Sequence, residues 1–452
     1  MFKRKVYEAL LEWKRVSNGS TAALIEGARR VGKSTIAEEF ARTEYEDYLL
    51  LDFSREGEDV RRTFRENTGD LDSLFRNLFL LKGKSLPRDV SVIILDEVQL
   101  FPFARQAIKQ LVADGRYHYI ETGSLISIKQ NTERILIPSE EHRIRMYPMD
   151  FEEFLWAKGD RVTADAIREA FERRRPLGDG IHRVIMRSFR EYLAVGGMPQ
   201  AVEAFMKGET FEGIDFAKRA ILSLYEEDLH KYDSENNGRV SAMFKTVSDQ
   251  LGSQSMRFKF SRVGDNARFD RLVGSLEFLR ESMTVNICEN ITVPDALMGL
   301  FVEKGNFKMF MADTGLLVTQ AIAAAGSRES LYKAIIFDKL DSNLGMIMEN
   351  MVAQMLVSNG HALFFHEFEY AARGEGGTRK RAKKYEIDFM LVRGKRVCPI
   401  EVKSSSYRTH KSLDMFFEKY EVKSNERYVL YTRDLQCEGG VTYLPLYMAM
   451  CL

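Results

Sequence analysis

The sequence is poor in cysteine, and the few cysteines it has are scattered. Its 452 residues include four, Cys288, Cys398, Cys437 and Cys451, with no C-x-x-C pair. This spacing argues against a disulfide framework or a zinc site and favours a reducing compartment. The sequence also lacks the run of about 18 apolar residues that a membrane span needs, and its charged N-terminus leads into an amphipathic helix rather than a signal peptide. We therefore expect a cytoplasmic protein.

An excess of charge of either sign is also absent. Lysine and arginine together number 66, and so do aspartate and glutamate. Nothing in the overall charge indicates nucleic acid, so any such contact must depend on a local patch. The length predicts roughly two to four domains. We divide the chain into segments 1–150, 151–238, 239–330 and 331–452.

Residues 24–35 carry the clearest chemistry. An apolar strand leads into Gly27-x-x-x-x-Gly32-Lys33-Ser34, which matches the phosphate-binding pattern G-x-x-x-x-G-K-[ST]. Backbone N–H groups of such a loop wrap around phosphates, and the following helix points its positive end at the anion. Lys33 would supply a cation and Ser34 an oxygen for Mg²⁺. The predicted nucleotide contacts here are Gly27, Arg29, Arg30, Val31, Gly32, Lys33, Ser34 and Thr35.

Strand-like runs alternate with helical stretches through the first segment, which predicts a parallel sheet with helices on both faces. The five runs are 22–26, 48–53, 90–95, 117–122 and 143–147. The third run leads into Asp96, which would hold Mg²⁺, and Glu97, which would activate the attacking water. The fourth ends at Thr122, which would sense the terminal phosphate. The alternatives are a solvated acidic turn and, for Thr122 or Ser124, a helix cap.

Together these motifs resemble the AAA-type P-loop ATPases of bacteria and archaea. The resemblance rests on the phosphate-binding pattern with Arg29, on Asp96-Glu97-Val98-Gln99, on Thr122-Gly123-Ser124 and on Tyr147-Pro148-Met149-Asp150-Phe151-Glu152-Glu153-Phe154. It implies ATP and Mg²⁺ as ligands and the strand order 5-1-4-3-2.

The same resemblance implies roles for the helical lid, residues 151–238, and for the segment before it. Gly197 and Pro199 would lie beside the adenine, unless they form an ordinary turn between helices. Arg143 or Arg145 would be an arginine finger that reaches the nucleotide of a neighbouring subunit in a homo-oligomer. The usual Gly-Arg pair is absent, and solvated arginines on a strand are the alternative.

Residues 239–330 show the element order of a winged helix. A helix at 240–251 is followed by a second at 267–281 and by a strand-like run at 283–288. The second helix region carries Arg268, Arg271 and Arg280, and it would be the recognition helix if the segment binds DNA. Acidic residues dilute that charge, and winged helices also serve as protein–protein modules, so both alternatives stay open.

The last hundred residues place acidic groups inside apolar strands. With a two-residue turn at Gly394-Lys395, the pairing rule of a hairpin sets Asp388 opposite Glu401, and Lys403 joins the same face by the period of two. Two carboxylates and a lysine are what a Mg²⁺-dependent phosphodiesterase needs. The alternative is a salt-bridged hairpin in which Lys403 pairs with one of the two acids.

The spacing Asp388…Glu401-x-Lys403 resembles the PD-(D/E)XK nuclease signature. The resemblance implies catalytic roles for these three residues, and it implies that Glu349 on the preceding helix joins Asp388 and Glu401 as a metal ligand. Glu386 precedes Asp388 by two residues, and no Pro-Asp pair occurs at this point. Segment 373–384 carries six basic residues against one acidic residue, which favours contact with a phosphate backbone over a solvated loop.

We therefore predict an α/β multidomain ATPase. It would combine a P-loop parallel sheet, a helical lid, a winged-helix-like middle segment and a C-terminal α/β nuclease-like domain that associates with DNA. The alternative is a nucleotide-switched regulatory ATPase whose last domain binds a partner without catalysis.

Overall fold

A computed structural model describes the chain except residues 125–138, 234–237, 254, 266, 324–327, 338–343, 372–380, 405–407 and 421–425. The described residues divide into two units. The first contains Met1–Pro148, Glu227–Tyr232 and Glu281–Met283, and the second contains Met149–Glu226, Asp233–Arg280 and Thr284–Leu452. The predicted division into four segments is finer and stays a prediction. Among the described helices, none has the length and apolar character needed to cross a membrane.

The first unit is built around a parallel sheet of five strands. The strands are β1 (Ala22–Gly27), β2 (Asp47–Asp52), β3 (Ser91–Asp96), β4 (His118–Ser124) and β5 (Glu141–Arg145). The helices are α1 (Val6–Ser17), α2 (Lys33–Glu44), α3 (Glu58–Asn67), α4 (Leu71–Lys82) and α5 (Pro102–Asp114). The strand order is β2-β3-β4-β1-β5, and every neighbouring pair is parallel. The predicted order 5-1-4-3-2 is thereby confirmed.

Apolar side chains pack the helices of this unit against the sheet. All six residues of β3 are buried, which explains why its sequence is an apolar run rather than an alternation. The rings of Phe53, Phe64 and Phe101 pack with centroids 5.2 to 6.1 Å apart. Burial of each such ring contributes roughly 1.5–3 kcal/mol. The core fixes the sheet, so the residues that follow β1, β3 and β4 meet at the same edge.

The second unit combines helices with a mixed sheet of eight strands. The helices are α6 (Phe151–Ala157), α7 (Thr163–Arg173), α8 (Asp179–Val195), α9 (Pro199–Met206), α10 (Phe211–Asp233), α11 (Arg239–Lys245), α12 (Val247–Leu251), α13 (Phe269–Glu281), α14 (Thr314–Ala321), α15 (Arg328–Ile336), α16 (Leu344–Ser358) and α17 (Lys411–Tyr420). The strands are β6 (Val285–Ile291), β7 (Val302–Met311), β8 (Leu363–Tyr370), β9 (Lys383–Arg393), β10 (Arg396–Val402), β11 (Tyr428–Tyr431), β12 (Gln436–Glu438) and β13 (Val441–Pro445). Their order is β12-β13-β11-β10-β9-β8-β6-β7. Residues 227–232 of α10 and Glu281 of α13 count with the first unit.

The β9–β10 hairpin has the predicted register. Arg393 pairs with Arg396 across the turn, and the ladder runs to the pair of Phe389 with Ile400. Asp388 and Glu401 are the next residues along the two strands. The predicted hairpin register is therefore confirmed.

The β6–β7 hairpin belongs to the same sheet. β6 pairs antiparallel with β7 and parallel with β8. β6 and β7 lie in the segment predicted to be winged-helix-like, residues 239–330, whereas β8 lies in the last segment. The sheet therefore continues across residue 330, and the winged-helix interpretation stays a prediction.

A buried aspartate joins two turns of the second unit. Asp313 caps α14 by accepting a hydrogen bond from the Leu316 N–H at 2.9 Å, and it accepts another from the Gly197 N–H at 2.6 Å. Gly315 lies so close to the end of α8 that a Cβ there would come within 2.3 Å of the Val195 carbonyl oxygen. The carboxylate of Asp313 thus ties the start of α14 to the turn between α8 and α9.

A buried lysine lies in the same region. Lys218 on α10 is fully buried and donates a hydrogen bond to the Ala194 carbonyl oxygen at 2.7 Å. Burial lowers the pKa of Lys218 to about 7, and the negative charges of Asp313 and Asp215 oppose this shift. Asp313 therefore has an electrostatic role in addition to its hydrogen bonds.

Two histidines of the second unit have the same buried arrangement, in which one ring nitrogen contacts a backbone carbonyl and the other a tyrosine hydroxyl. The contacts are His182 with Thr432 O at 3.2 Å and the Tyr447 hydroxyl at 3.0 Å, and His366 with Ile291 O at 2.7 Å and the Tyr420 hydroxyl at 2.9 Å. Because a carbonyl can only accept, the nitrogen that faces it must carry the proton, and the other nitrogen accepts from the tyrosine. Burial lowers the pKa of both imidazoles.

We expect these two histidines to contribute a loss of stability of the second unit as the pH falls below about 6.5, the ordinary histidine pKa. In that range the unfolded chain binds protons that the folded chain resists, so the free energy of unfolding falls. Urea unfolding between pH 5 and pH 8 measures the effect. The double variant His182→Gln/His366→Gln should lose less stability on acidification than the original chain loses, and His142→Gln, at an exposed position, should keep the original pH dependence. An unchanged slope in the double variant would contradict the prediction.

Candidate nucleotide site and acidic cluster

The phosphate-binding pattern forms a loop between β1 and α2. β1 ends at Gly27, and α2 begins at Lys33. Gly27 must lack a side chain, because a Cβ there would come within 2.3 Å of the Met146 carbonyl oxygen. Gly32 has φ of 99°, a left-handed conformation that favours glycine. The glycines therefore shape a loop that ends at the unpaired N–H groups of the first turn of α2.

The side chain of Lys33 is folded onto this loop. Its Nζ donates hydrogen bonds to the carbonyl oxygens of Gly27 at 3.0 Å and Ala28 at 2.9 Å. Burial lowers the pKa of Lys33 to about 8, and the negative charges of Glu97 and Asp96 oppose this shift. The ammonium group is thus held by two neutral carbonyl groups, and an anion such as phosphate would be a stronger partner.

The carboxyl ends of β3 and β4 bring further oxygen atoms to the start of α2. Asp96 Oδ1 accepts a hydrogen bond from the Ser34 hydroxyl at 2.7 Å and another from the Thr122 hydroxyl. Glu97 follows with a left-handed backbone, and its N–H donates to Thr122 Oγ1 at 3.3 Å. Four predicted site residues therefore meet here. A hydroxyl beside a carboxylate fits Mg²⁺, which takes few protein ligands when nucleotide phosphates supply the rest.

Sequence analysis missed the roles of two residues at this site. The Gln99 amide donates a hydrogen bond to Glu97 Oε2. The position of Gln99, two residues after Glu97, could have indicated this contact. Arg4, just before α1, donates to the Val31 carbonyl oxygen at 2.8 Å and to the Tyr147 carbonyl oxygen at 2.7 Å. Nothing in the motif indicates Arg4, because it precedes its partner Val31 by 27 residues.

The other residues of the pattern have different surroundings. Arg29 Nη1 lies 2.9 Å from both carboxylate oxygens of Asp228, which belongs to the same unit. Arg30 and Thr35 are exposed, and Val31 is buried. Nucleotide contact by these four pattern residues stays a prediction.

Two candidate arginine fingers lie on β5, at one edge of the sheet. Arg143 and Arg145 are both exposed, and Arg145 Nε lies 3.3 Å from Glu26 Oε1. The pairing of β5 with β1 explains this contact, because Arg145 is the partner of Glu26 in register. The arginine-finger role of Arg143 or Arg145 stays a prediction.

The proposed adenine contacts have structural partners in the second unit. The Gly197 N–H donates to Asp313, and the Gly197 carbonyl oxygen accepts from the Met149 N–H at 2.7 Å. Pro199 is the first residue of α9, a position that suits a residue without an N–H. These contacts account for both residues as a turn between helices, and their contact with a nucleotide stays a prediction.

The second predicted site lies in the eight-stranded sheet. The Lys403 Nζ lies 2.6 Å from Glu401 Oε1, and Asp388 Oδ2 accepts a hydrogen bond from the Val402 N–H at 2.8 Å. Asp388 and Glu401 are close enough for the charge of Asp388 to raise the pKa of Glu401. The structure thus brings the acids of β9 and β10 together, with Lys403 paired to Glu401.

A further lysine lies among the other acids of this site. Lys308 on β7 is buried, and its Nζ lies 2.6 Å from Glu386 Oε1 and 3.4 Å from Glu349 Oε2. Sequence analysis identified Glu349 but missed Lys308. We call Lys308, Glu349, Glu386, Asp388, Glu401 and Lys403 the acidic cluster.

Burial is the largest cause of the pKa shifts of two acids in the acidic cluster. It raises the pKa of Glu349 to about 8 and that of Glu401 to about 6. Burial alone would lower the pKa of Lys308, but Glu349, Glu386 and Asp388 raise it well above its ordinary value. Lys308 is therefore charged, and it favours the charged form of the acids around it.

Metal and DNA contacts of the second unit stay predictions. Across the described parts of the chain, no three histidine, cysteine, aspartate or glutamate side chains form a group that could hold a metal ion. Most of the basic segment 373–384 lies outside the described residues. Arg268 and Arg271 are exposed, whereas Arg280 on α13 lies 2.8 Å from Glu289.

Comparison with family models matches three stretches of the chain. Residues 19–155 match an AAA domain, residues 186–327 match a domain of unknown function (DUF8612), and residues 344–448 match a second domain of unknown function (DUF4143). No curated protein matches the chain.

Two solved structures are similar at low identity. One is a Signal Transduction ATPase with Numerous Domains (STAND) protein with a tetratricopeptide repeat sensor, from Pyrococcus horikoshii. It is 11% identical to this chain with a TM-score of 0.28, and the match covers 78% of this chain and 47% of the STAND chain. Cdc6p from Pyrobaculum aerophilum is 12% identical with a TM-score of 0.23, over 74% of this chain and 93% of its own. The present chain thus spans about half the length of the first of these structures.

Proposed function

We propose that residues 19–155, which match an AAA domain, form a P-loop ATPase domain that binds ATP with Mg²⁺ and hydrolyses it. The observation that carries the proposal is the hydrogen-bonded group of Ser34, Asp96 and Thr122 beside Glu97. Ser34 and Asp96 would hold the ion, which when bound neutralises charge on the phosphate oxygens.

Two side chains act on the nucleotide in this proposal. Lys33 exchanges the carbonyl oxygens of Gly27 and Ala28 for phosphate oxygens, which form stronger, charge-assisted hydrogen bonds. Glu97 accepts a proton from the attacking water. The Gln99 amide, through its bond to Glu97 Oε2, holds that carboxylate in position.

The roles of the lid and of the arginine finger rest on the resemblance to AAA-type ATPases. In this part of the proposal Gly197 and Pro199 contact the adenine, and Arg143 or Arg145 reaches the nucleotide of a second copy in a homo-oligomer. Exposure of both arginines is compatible with that role.

Replacement of Lys33 by alanine tests nucleotide binding. We expect about 10- to 150-fold weaker binding of ATP, because a hydrogen bond to a charged group contributes roughly 1.5–3 kcal/mol. Titration with a fluorescent ATP analogue measures the affinity. Lys109→Ala, at an exposed position of α5 in the same unit, is the matched control and should bind like the unaltered chain. Equal affinity in the two variants would contradict the assignment of the loop.

A second proposal concerns residues 331–452, which would form a nuclease-like domain associated with DNA. The hairpin register that places Asp388 beside Glu401, with Lys403 directly after β10, supports it. Glu349, Asp388 and Glu401 would be the metal ligands, and Asp388, Glu401 and Lys403 the catalytic residues. The alternative is a regulatory ATPase in which this domain binds a partner without cutting it, and the contacts of Lys308 favour that alternative.

Incubation with plasmid, linear and single-stranded DNA separates these two roles. The reactions are run with and without Mg²⁺ and ATP, and with Asp388→Ala as the control for contaminating nuclease. Mg²⁺-dependent cleavage that Asp388→Ala abolishes would support the nuclease. Binding without cleavage under every condition would support the regulatory ATPase.

A further inference from the structure

The acidic cluster contains a cation that the nuclease resemblance does not include. Lys308 Nζ lies 2.6 Å from Glu386 and 3.4 Å from Glu349, and its side chain is 1% exposed. The same nitrogen lies 5.3 Å from the centre of the Phe365 ring, so its stem is packed in the sheet. We propose that the ammonium group of Lys308 is the resident cation of the acidic cluster and takes the place that the resemblance gives to Mg²⁺.

One carboxylate oxygen of each predicted metal ligand already has a partner, whereas Glu401 Oε2 is buried without a hydrogen-bond partner among the described residues. The contacts are Glu349 with Lys308, Asp388 with the Val402 N–H, and Glu401 with Lys403. Mg²⁺ binds oxygen ligands at about 2.0–2.1 Å in an octahedron. The ammonium group of Lys308 lies beside Glu349, one of the three predicted ligands, and its positive charge would repel such an ion. The residues as arranged therefore do not fit the metal, and the absence of a metal-holding group among the described residues agrees with this.

Lys308 and the carboxylates around it come from two different stretches of the chain. Lys308 lies in the stretch 186–327, whereas the carboxylates lie in the stretch 344–448, and each stretch matches a family model of its own. Pairing of β6 with β8 brings the β6–β7 hairpin, and Lys308 with it, into the sheet of the carboxylates. A buried lysine is costly unless carboxylates compensate it, so the two stretches stabilise each other at this point.

The test removes the ammonium group from the full-length chain and measures whether a metal ion replaces it. All variants carry Asp96→Asn, which weakens cation binding at the nucleotide site, and Mn²⁺ is titrated without nucleotide by calorimetry. We expect no Mn²⁺ binding at the cluster in this background. Addition of Lys308→Met should create one Mn²⁺ site per chain that binds at least roughly tenfold more tightly than the detection limit set by the background, and Mn²⁺ should then raise the melting temperature. Lys304→Met, at an exposed position of β7, is the matched control and should behave like the background.

Two results would overturn the proposal. One is Mn²⁺ binding in the Asp96→Asn background that Asp388→Asn abolishes, because the cluster would then hold a metal beside Lys308. The other is a folded Lys308→Met chain that gains no Mn²⁺ affinity.

A second variant covers the case in which Lys308→Met fails to fold. Lys308→Met/Glu386→Gln removes both charges of the closest pair, so it should fold and melt at a higher temperature than Lys308→Met. A double variant no more stable than the single one would show that Lys308 does not neutralise this carboxylate, and would overturn the proposal. None of these measurements depends on ATP hydrolysis.

Discussion

Replacement of Glu97 by glutamine is expected to lower the rate of ATP hydrolysis about 10²- to 10⁴-fold, the usual contribution of a general base. Glutamine keeps the shape of the side chain but cannot accept the proton of the attacking water. Affinity for ATP should change little, because Lys33 and the loop are left intact. Phosphate release under saturating ATP measures the rate, and a fluorescent ATP analogue measures the affinity.

Asp52→Asn is the matched control for this experiment. Asp52 ends β2, pairs with Asp96 in register and accepts a hydrogen bond from the Ser54 N–H at 2.9 Å. It is therefore a carboxylate at the same edge of the sheet without a role in the proposed reaction. We expect its variant to hydrolyse ATP at nearly the original rate. Rates that fall equally in both variants, or in neither, would mean that Glu97 is not the base.

Replacement of Asp313 by alanine is expected to destabilise the second unit by about 3–5 kcal/mol, the usual cost of leaving a buried charge without its partner. The change removes the acceptor for the Gly197 and Leu316 N–H groups. It also removes the opposite charge that acts most strongly on the buried Lys218. Urea unfolding followed by the fluorescence of Trp156, which lies on α6 of this unit, measures the loss.

The control for Asp313→Ala is the same change at an aspartate that also caps a helix but is exposed to solvent. Asp70 caps α4 of the first unit by accepting a hydrogen bond from the Ser73 N–H at 3.3 Å, in an exposed position, so unfolding of its variant is followed at Trp13 on α1 of that unit. Asp70→Ala should cost far less stability than Asp313→Ala. Asp313→Ala/Lys218→Met should recover part of the lost stability, because no uncompensated charge remains. Equal losses at the two caps would mean that Asp313 acts as a helix cap alone.

Local patterns were sufficient to predict much of this molecule. The alternation of strands and helices predicts the parallel sheet of the first unit, the resemblance to AAA-type ATPases implies its strand order, and the structure confirms both. The meeting of Asp96 with Thr122 follows from the rule that parallel strands end at the same edge. The register of the β9–β10 hairpin follows from a turn of two residues. For the last two predictions the deciding information lies within one element or its immediate neighbour, whereas the strand order needed the resemblance.

Partners distant in sequence were not predictable. Arg29 pairs with Asp228, which lies 199 residues away, and Lys308 pairs with Glu349, which lies 41 residues away on another element. A lysine inside a short apolar run, as Lys308 is within residues 307–311 of β7, carries no information about which carboxylates surround it. The sequence therefore predicted acids of the cluster but not Lys308. This lysine bears most on whether the cluster holds a metal ion.

The participation of the β6–β7 hairpin in the eight-stranded sheet has a consequence for synthesis on the ribosome. The hairpin is complete at Met311, but its partner β8 ends only at Tyr370. At the usual rate of 5–20 residues per second, roughly 3 to 12 s separate the two events. During that time the edge of β6 that later pairs with β8 has free N–H and C=O groups, which are open to pairing with other nascent chains. We expect this interval to be the stage at which the chain depends most on chaperones.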